Sequence, residues 1–362
     1  MPFAEPRADV AAALPSVAIA RTPAGRRMTE FAGAEALAAL LQALADRAYR
    51  FVPPTPETHR RVLSRAPKAR AKDLRDVFGW SLPFSEETLD PEIVARMAAA
   101  GVLRGRGPRL RSAVRVASLA DDLFLHSAFP PDDDAVFFGP DTYRFVDFLK
   151  RELADGWRAQ RVLDFGAGSG AGGIAVARVC APQRLVLADV NPAALRLSAG
   201  SARFAGVAAE VRLWSDLSDI DEPFDLVIAN PPFIAEGGHT YRDGAGMHGG
   251  QRSLEWIEAG SQRLAEDGRM LVYTGAAICA GRDALREALE ERFAGGDFEL
   301  SYREIDPDVF GEELTRPVYR EVERIAAVGV SLRRVRRVSE QRQAIAGAKA
   351  FLGAVIAGAT PS

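Results

Sequence analysis

A short apolar run that meets a string of glycines constrains this chain more than any other feature: Val162-Leu-Asp-Phe-Gly-Ala-Gly-Ser-Gly-Ala-Gly-Gly173, with a helical pattern over 171–179. Gly166, Gly168 and Gly170 permit a tight strand-to-helix turn and let a ligand approach the backbone where side chains would collide. Gly166-x-Gly168-x-x-Ala171 also fits the dinucleotide fingerprint, so the loop alone does not choose between a nicotinamide and an adenosyl cofactor. It lacks the Gly-Lys-Ser/Thr ending of a phosphate-cradling loop, which argues against nucleoside triphosphate hydrolysis. Nineteen residues beyond Gly170, the next apolar run ends in Asp189, where a carboxylate accepts hydrogen bonds from the ribose hydroxyls of either cofactor. A cap for the helix opening at Asn191-Pro192 is the alternative role for Asp189.

The same alternation continues downstream. Apolar runs at 185–189, 211–214, 224–229 and 270–274 are separated by helical patterns such as 193–204 and 253–264, and 298–305 and 325–332 close the series. Strands alternating with helices predict an α/β fold, a doubly wound and mostly parallel seven-stranded sheet with helices on both faces. Upstream, Leu37, Leu40, Leu41 and Leu44 recur at helical spacing within 30–50, and further helices are expected near 57–64, 69–78 and 91–101. Short strands at 110–116 and 123–126 follow, so the first part reads as a helical, winged-helix-like unit. The composition changes at 129–134, where Pro130-Pro131 and three aspartates make a linker. The expected divisions are a substrate or partner domain over 1–135, the α/β domain over 136–335, and an Ala-rich tail over 336–362.

An apolar share of 48%, a charged share of 26% and a formal charge of −3 suit an ordinary globular protein and exclude a uniformly basic one. Cys180 and Cys279 stand far apart and the four histidines are isolated, so neither a disulfide framework nor a metal site is expected. No apolar run is long enough to span a membrane. Residues 10–20 look like the core of a secretory signal, but Pro15 interrupts them and Glu5 and Asp9 flank them beside a single Arg7. A loosely packed N-terminal arm and a cytoplasmic location are the expectation.

The fourth strand of the series separates the cofactors. Phe224-Asp-Leu-Val-Ile-Ala-Asn-Pro-Pro-Phe233 puts Asn230, Pro231, Pro232 and Phe233 at a strand's carboxyl end, where open α/β sheets bind ligands. The two prolines hold the backbone out of sheet pairing. The Asn230 amide oxygen and a neighbouring backbone carbonyl can accept both hydrogens of a planar NH2 group, and Phe233 can cover that group by stacking. Such a clamp aims a weakly nucleophilic nitrogen at an electrophilic methyl. Hydride transfer has no need of it.

Asp164-x-Gly166-x-Gly168-x-Gly170, Asp189 and Asn230-Pro231-Pro232-Phe233 resemble a class I S-adenosylmethionine-dependent methyltransferase of the amino-methylating kind, over roughly 136–335. Within that class the chain is similar to the release-factor glutamine methyltransferases (HemK type). Trp214-Ser-Asp-Leu217 resembles their segment near the cofactor adenine, Ile234 continues the match, and Gly249-Gly-Gln-Arg-Ser-Leu254 resembles their Gly-Gly-x-x-x-Leu helix. Gly139-Pro-Asp-Thr142 falls where they have Pro-Glu-Thr. The resemblance implies catalytic roles for Asn230, Pro231, Pro232 and Phe233. It implies cofactor contacts for Thr142, Asp164, Gly166, Ala167, Gly168, Ser169, Gly170, Asp189, Asn191, Asp216, Leu217 and Asn230. Three departures stand beside it: Phe233 replaces the usual Tyr, the fifth strand runs Tyr273-Thr-Gly where the family has Glu, and residues 1–135 carry no motif of that family's substrate domain.

The resemblance favours a protein acceptor, a glutamine amide of a release factor or ribosome-associated protein. An exocyclic amine of adenine or guanine in RNA or DNA is the second reading, and a nicotinamide-dependent reductase the third. Basic clusters bear on the choice. Nine Lys/Arg lie between Arg47 and Arg75 against Glu57 and Asp73, and Arg104, Arg106, Arg109, Arg111 and Arg115 follow with no acid among them. A solvated face, a nucleic-acid contact on a wing and a protein contact all fit them. Residues 236–250 are glycine-rich, with His239, Tyr241 and Arg242 in a lid or a simple connection.

Overall fold

The computed structural model describes residues 33–65, 70–107, 109–132, 134–235 and 243–335. The apolar stretch at 10–20, the tail at 336–362, and His239, Tyr241 and Arg242 lie outside them. No described helix is long and apolar enough to cross a membrane.

The first part holds α1 (Ala34–Ala45), α2 (Pro56–Leu63), α3 (Leu74–Phe78) and α4 (Pro91–Ala99), then two hairpins, β1 (Leu103–Arg104) with β2 (Arg111–Ser112) and β3 (Val114–Leu119) with β4 (Asp122–Ser127). Local chemistry sets these boundaries. Thr55 accepts the Thr58 N–H at 3.2 Å ahead of Pro56, and Asp90 accepts the Glu92 N–H at 2.9 Å ahead of Pro91. The helix expected over 69–78 begins only at Leu74, because the Asp73 carboxylate caps the Asp76 N–H at 2.9 Å. The single strand expected over 110–116 is divided at Ala113. Ser112 Oγ donates to the Val114 carbonyl at 2.6 Å, and the Ala113 N–H turns to the Val102 carbonyl at 2.7 Å.

The second part holds α5 (Pro140–Glu152), β5 (Arg161–Phe165), α6 (Ala171–Cys180), β6 (Arg184–Asp189), α7 (Pro192–Phe204), β7 (Glu210–Leu213), β8 (Phe224–Ala229) and α8 (Gln251–Ser261). It continues with β9 (Leu264–Cys279), β10 (Arg282–Asp283), α9 (Ala284–Arg292), β11 (Phe298–Asp306) and β12 (Arg324–Arg334). The strand order is β11-β12-β9-β8-β5-β6-β7, with the short β10 paired to β9. Strands β7, β6, β5, β8 and β9 are parallel, whereas β12 is antiparallel to both β9 and β11. The apolar runs alternate between faces: Leu226 and Ile228 join the core under α5 and α6, Val227 and Ala229 the core under α8 and α9. Two helix and strand ends differ from expectation. Helix α8 starts at Gln251 and stops at Ser261, so Leu264 opens a strand; β9 then runs far past 274 because β12 pairs with it as far as Ile278.

The expected division at 135/136 falls in an irregular segment, and the two parts share packing. Leu37 of α1 lies so close to α7 that a Cβ on Gly200 would stand 2.7 Å from its Cβ. Ser201 Oγ accepts the Leu125 N–H at 3.2 Å, and Ala194 and Leu197 of α7 belong to the apolar core of the first part.

Candidate active site

From β5 the chain winds outward through β6 and β7 and returns to β8 on the other side of β5, so the strand order reverses between β5 and β8. Ligands of open α/β sheets sit at such a reversal, beyond the strands' carboxyl ends. Register makes the site. Ala188 pairs with Phe165, Phe165 with Ala229, and Ala229 with Val272. The next residue on each strand is therefore Asp189, Gly166, Asn230 and Tyr273, one row along the carboxyl edge. A cavity of about 330 Å³ opens along this row, lined by Gly166, Gly168, Asp189 and Asn191 from β5, β6 and the turns after them and by Asn230, Pro231, Pro232 and Phe233 from the end of β8.

The glycine loop has the backbone its sequence requires. Gly166, Gly168 and Gly170 have φ of +74°, +55° and +82°, in the left-handed region that penalises any side chain. The Gly166 and Ala167 N–H groups donate to the Ala188 carbonyl at 2.8 and 2.9 Å, tying the loop to β6. A Cβ on Gly166 would stand 2.8 Å from the Trp256 ring, which packs edge-on to Phe165 at 4.6 Å. Trp256 of α8 thus forms a wall directly over the loop.

Three buried carboxyl groups surround the row. Asp189 Oδ2 accepts the Gly168 N–H at 2.9 Å and Oδ1 the Asn191 N–H at 2.8 Å. Burial raises the Asp189 pKa, and these N–H groups pull it back. The Val190 N–H is a third donor to this carboxylate, and the acceptor capacity that remains is open to a ligand. Asn191 caps α7 by accepting the Ala193 N–H at 2.8 Å and donates from Nδ2 to the Asp134 carbonyl at 2.7 Å, which holds the linker against the cavity. Asp141 lines the other end and accepts the Tyr273 hydroxyl proton at 2.6 Å; burial raises its pKa, against the Tyr273 hydrogen bond and Arg144.

Asp164 lies behind the loop. It accepts the Gly173 N–H at 2.7 Å, and burial, aided by the Asp189 charge, pushes its carboxyl up to about 7. A folded-state pKa raised above the unfolded one means that stability present at low pH is lost as pH rises toward 7. Asp164→Asn keeps the acceptor for Gly173 and removes the charge. The ligand-free variant should therefore melt above the wild type at pH 8, by a few kcal/mol at most, with the gap closing toward pH 4. Equal melting temperatures across that range, read by calorimetry, would contradict the burial argument.

The Asn230 segment is gripped from several sides. Phe233 is buried, meets Phe310 edge-to-face at 5.6 Å, and fills the space above Gly275, where a Cβ would stand 2.3 Å from its ring. The Gly244 N–H donates to the Ile234 carbonyl at 2.9 Å, and the Ala235 N–H to the Tyr319 hydroxyl at 2.7 Å. Gly249, at φ +103°, lies against the Phe233 carbonyl so closely that a Cβ would stand 2.1 Å from that oxygen.

Several residues named from the sequence stand off the cavity. Thr142 Oγ1 accepts the Gly139 N–H at 3.3 Å and caps α5; its neighbour Asp141 faces the cavity instead. Ala167, Ser169 and Gly170 form the loop's far side and do not line the cavity. Asp216 caps a short turn through the Ser218 N–H at 2.7 Å, and Leu217 is buried among the apolar residues beneath α8. Conversely, Trp214, Trp256, Phe137, Val190 and Phe310 line the cavity without having been put forward. Trp214 was in a quoted segment; for Trp256 and Phe310 no local signal exists, since each reaches the row from an element remote in the chain.

Residues 142–292 match the family model of the methyltransferase small domain. The release factor glutamine methyltransferase of Bordetella pertussis is 31% identical over 160 residues, covering 43% of this chain and 56% of that protein. The ribosomal RNA small subunit methyltransferase C of Serratia proteamaculans is 32% identical over 148 residues, covering 35% of this chain and 43% of that protein. The release factor glutamine methyltransferase of Deinococcus radiodurans is 28% identical over 159 residues, covering 42% and 55%. The chain thus spans about half the length of the curated relatives it matches.

Proposed function

We propose that this chain, whose residues 142–292 match the model of the methyltransferase small domain, is an S-adenosylmethionine-dependent N-methyltransferase acting on a planar NH2 group. The observation that carries the reading is the row along the sheet edge, which sets Asn230, Gly166 and Asp189 at the ends of the neighbouring strands β8, β5 and β6 in the lining of one cavity. The cavity fits the cofactor. The glycine loop leaves room for backbone approach, Asp189 has free lone pairs for a ribose, and apolar Val190, Ala194 and Trp214 form a wall suited to a flat base. Asp189 and Asp141 offer negative charge to a cationic ligand. When bound, S-adenosylmethionine supplies an electrophilic methyl on a sulfonium.

Asn230 orients the acceptor by accepting a hydrogen bond from one N–H on its amide oxygen, with a neighbouring backbone carbonyl accepting the other, which turns the nitrogen lone pair toward the cofactor. Phe233 and Phe310 exclude water around it. No general base is needed, because the alkylated nitrogen is acidic enough to lose its proton to solvent.

Calorimetry should register S-adenosylmethionine and its demethylated product but not NADH. Asp189→Ala should weaken that binding by about ten- to a hundred-fold, as expected for hydrogen bonds to a charged group. Unchanged affinity, or NADH binding in its place, would defeat the reading.

The acceptor is a separate matter. The expectation of a protein glutamine leaned on Ile234 and on Gly249-Gly250, but both have packing duties here: the Ile234 carbonyl accepts from Gly244, and Gly249 makes room for Phe233. Those duties serve the clamp for any planar NH2. The two kinds of relative, one named for a release factor and one for ribosomal RNA, fit it equally.

A further inference from the structure

The hairpin of β1 and β2 presents Arg104, Arg106, Arg109 and Arg111, all exposed. Gly105 and Gly107 have φ of +86° and +56°, and a Cβ on Gly105 would stand 2.3 Å from the Arg109 carbonyl. Among the described residues no carboxylate lies within ion-pair distance of these four guanidinium groups. Several other arginines of the first part are neutralised. Arg47 meets Asp90 at 2.6 Å and Glu92 at 2.9 Å, Arg60 and Arg61 meet Glu57, and Arg96 meets Glu92. Arg115, the fifth arginine of the sequence cluster, is not part of the surface. Its Nε donates to the Ser127 carbonyl at 3.0 Å, and its guanidinium is buried beside His59 and His126.

The unpaired charge continues beyond the hairpin. Phe84 and Leu110 exchange both backbone hydrogen bonds at 2.9 Å, and the Ala71 N–H donates to the Pro83 carbonyl at 2.9 Å. Exposed Arg70 and Lys72 therefore flank the hairpin's base. Their acidic neighbours Asp73 and Asp76 are used as backbone acceptors, for the N–H groups of Asp76 and Lys72. On the opposite side Arg104 stands near Arg196 of α7, the helix that opens at Asn191 and lines the cavity through Ala194.

We propose that Arg104, Arg106, Arg109 and Arg111, flanked by Arg70 and Lys72, form a docking surface for the phosphodiester backbone of a nucleic acid. Arg104 Nη1 donates to the Gly101 carbonyl at 3.0 Å and Arg111 Nη1 to the Ser81 carbonyl at 3.4 Å, which leaves the charge of each guanidinium without a carboxylate and its other N–H groups for phosphate oxygens, which accept charge-assisted hydrogen bonds. An acidic protein would need apolar anchors as well, and the large exposed apolar residues (Val52, Phe137, Val190, Leu213 and Val318) all lie outside the hairpin and the 70–72 segment. That the docked nucleic acid offers a base amine to the Asn230 clamp rests on the N-methyltransferase reading; the docking itself does not.

The test uses the full chain and fluorescence anisotropy with a labelled RNA hairpin, a DNA duplex of the same sequence, and poly-glutamate of equal charge. At least one nucleic acid should bind at 50 mM salt, more tightly than poly-glutamate, and the stronger of the two identifies RNA or DNA as the source. Four phosphate contacts predict a loss of about a hundred-fold in affinity between 50 and 200 mM salt. Replacing all four arginines (Arg104→Gln, Arg106→Gln, Arg109→Gln, Arg111→Gln) should remove most of that salt dependence while calorimetric binding of S-adenosylmethionine is kept. If the fourfold variant misfolds, Arg106→Gln with Arg109→Gln should lower the slope by about two contacts. No nucleic-acid binding by the wild type, an unchanged slope in the variants, or equal binding of poly-glutamate would overturn the proposal. Loss of the slope in a protein that never binds S-adenosylmethionine would keep the docking surface and remove the N-methyltransferase reading.

Discussion

Asn230→Ala should lower turnover by about a hundred- to a thousand-fold, the range seen when one preorganised polar contact to a reacting group is removed, while S-adenosylmethionine affinity stays within a few-fold. The split follows from position. Asn230 ends β8 and leads into Pro231, Pro232 and Phe233, whereas the glycine loop and Asp189 belong to the next two strands of the row, β5 and β6. Truncating it takes away the acceptor that orients the incoming nitrogen and leaves the glycine loop and Asp189 intact. Single-turnover transfer of a labelled methyl group, beside a calorimetric Kd, measures both quantities. Turnover within a few-fold of wild type would make Asn230 a turn residue and sink the clamp.

The second large effect comes from a residue that touches no ligand. Gly249→Ala should reduce turnover by about a hundred-fold, because a displacement of roughly 1 Å at a reacting group is enough for that loss. Its Cβ would stand 2.1 Å from the Phe233 carbonyl oxygen and 2.8 Å from the carbonyl carbon, so the whole 230–235 segment has to shift. Gly206→Ala is the control. Gly206 has a similar left-handed φ of +66° but nothing within 4 Å of the position its Cβ would take. That variant should lose only about 1–2 kcal/mol of stability and keep its turnover. If both variants behave alike, backbone strain rather than the contact with Phe233 explains Gly249.

Much of this was legible in the chain because it is local. The short apolar runs between helical patterns placed all seven main strands of the sheet, and helix starts follow from caps within three residues, as at Thr55 and Asp90. Where the expected ends moved, the cause was a side chain competing for backbone groups, as with Asp73 and Ser112, or a partner strand distant in sequence, as with β12 prolonging β9. The site residues divide in the same way. Gly166, Gly168, Asp189 and the Asn230 tetrapeptide follow directly from the residue type at a strand's end. Thr142, Asp216 and Leu217 came from the resemblance of short segments to a family, and such a match does not say which of two adjacent side chains faces a cavity: Asp141 does, Thr142 caps a helix.

By itself the sequence determined the order of strands and helices, the left-handed turn that only glycines allow, and which chemical group would follow each strand. Only the tertiary structure decided that those groups stand in one row. Register between β6, β5, β8 and β9 arises from pairing of segments tens of residues apart, and a shift of one residue would have turned each side chain to the other face. The same holds for charge. Arg104 to Arg115 is one basic run in the sequence; folding buries Arg115 behind β4 and leaves the other four without carboxylates, since which acids come within reach of an arginine depends on packing and not on spacing along the chain.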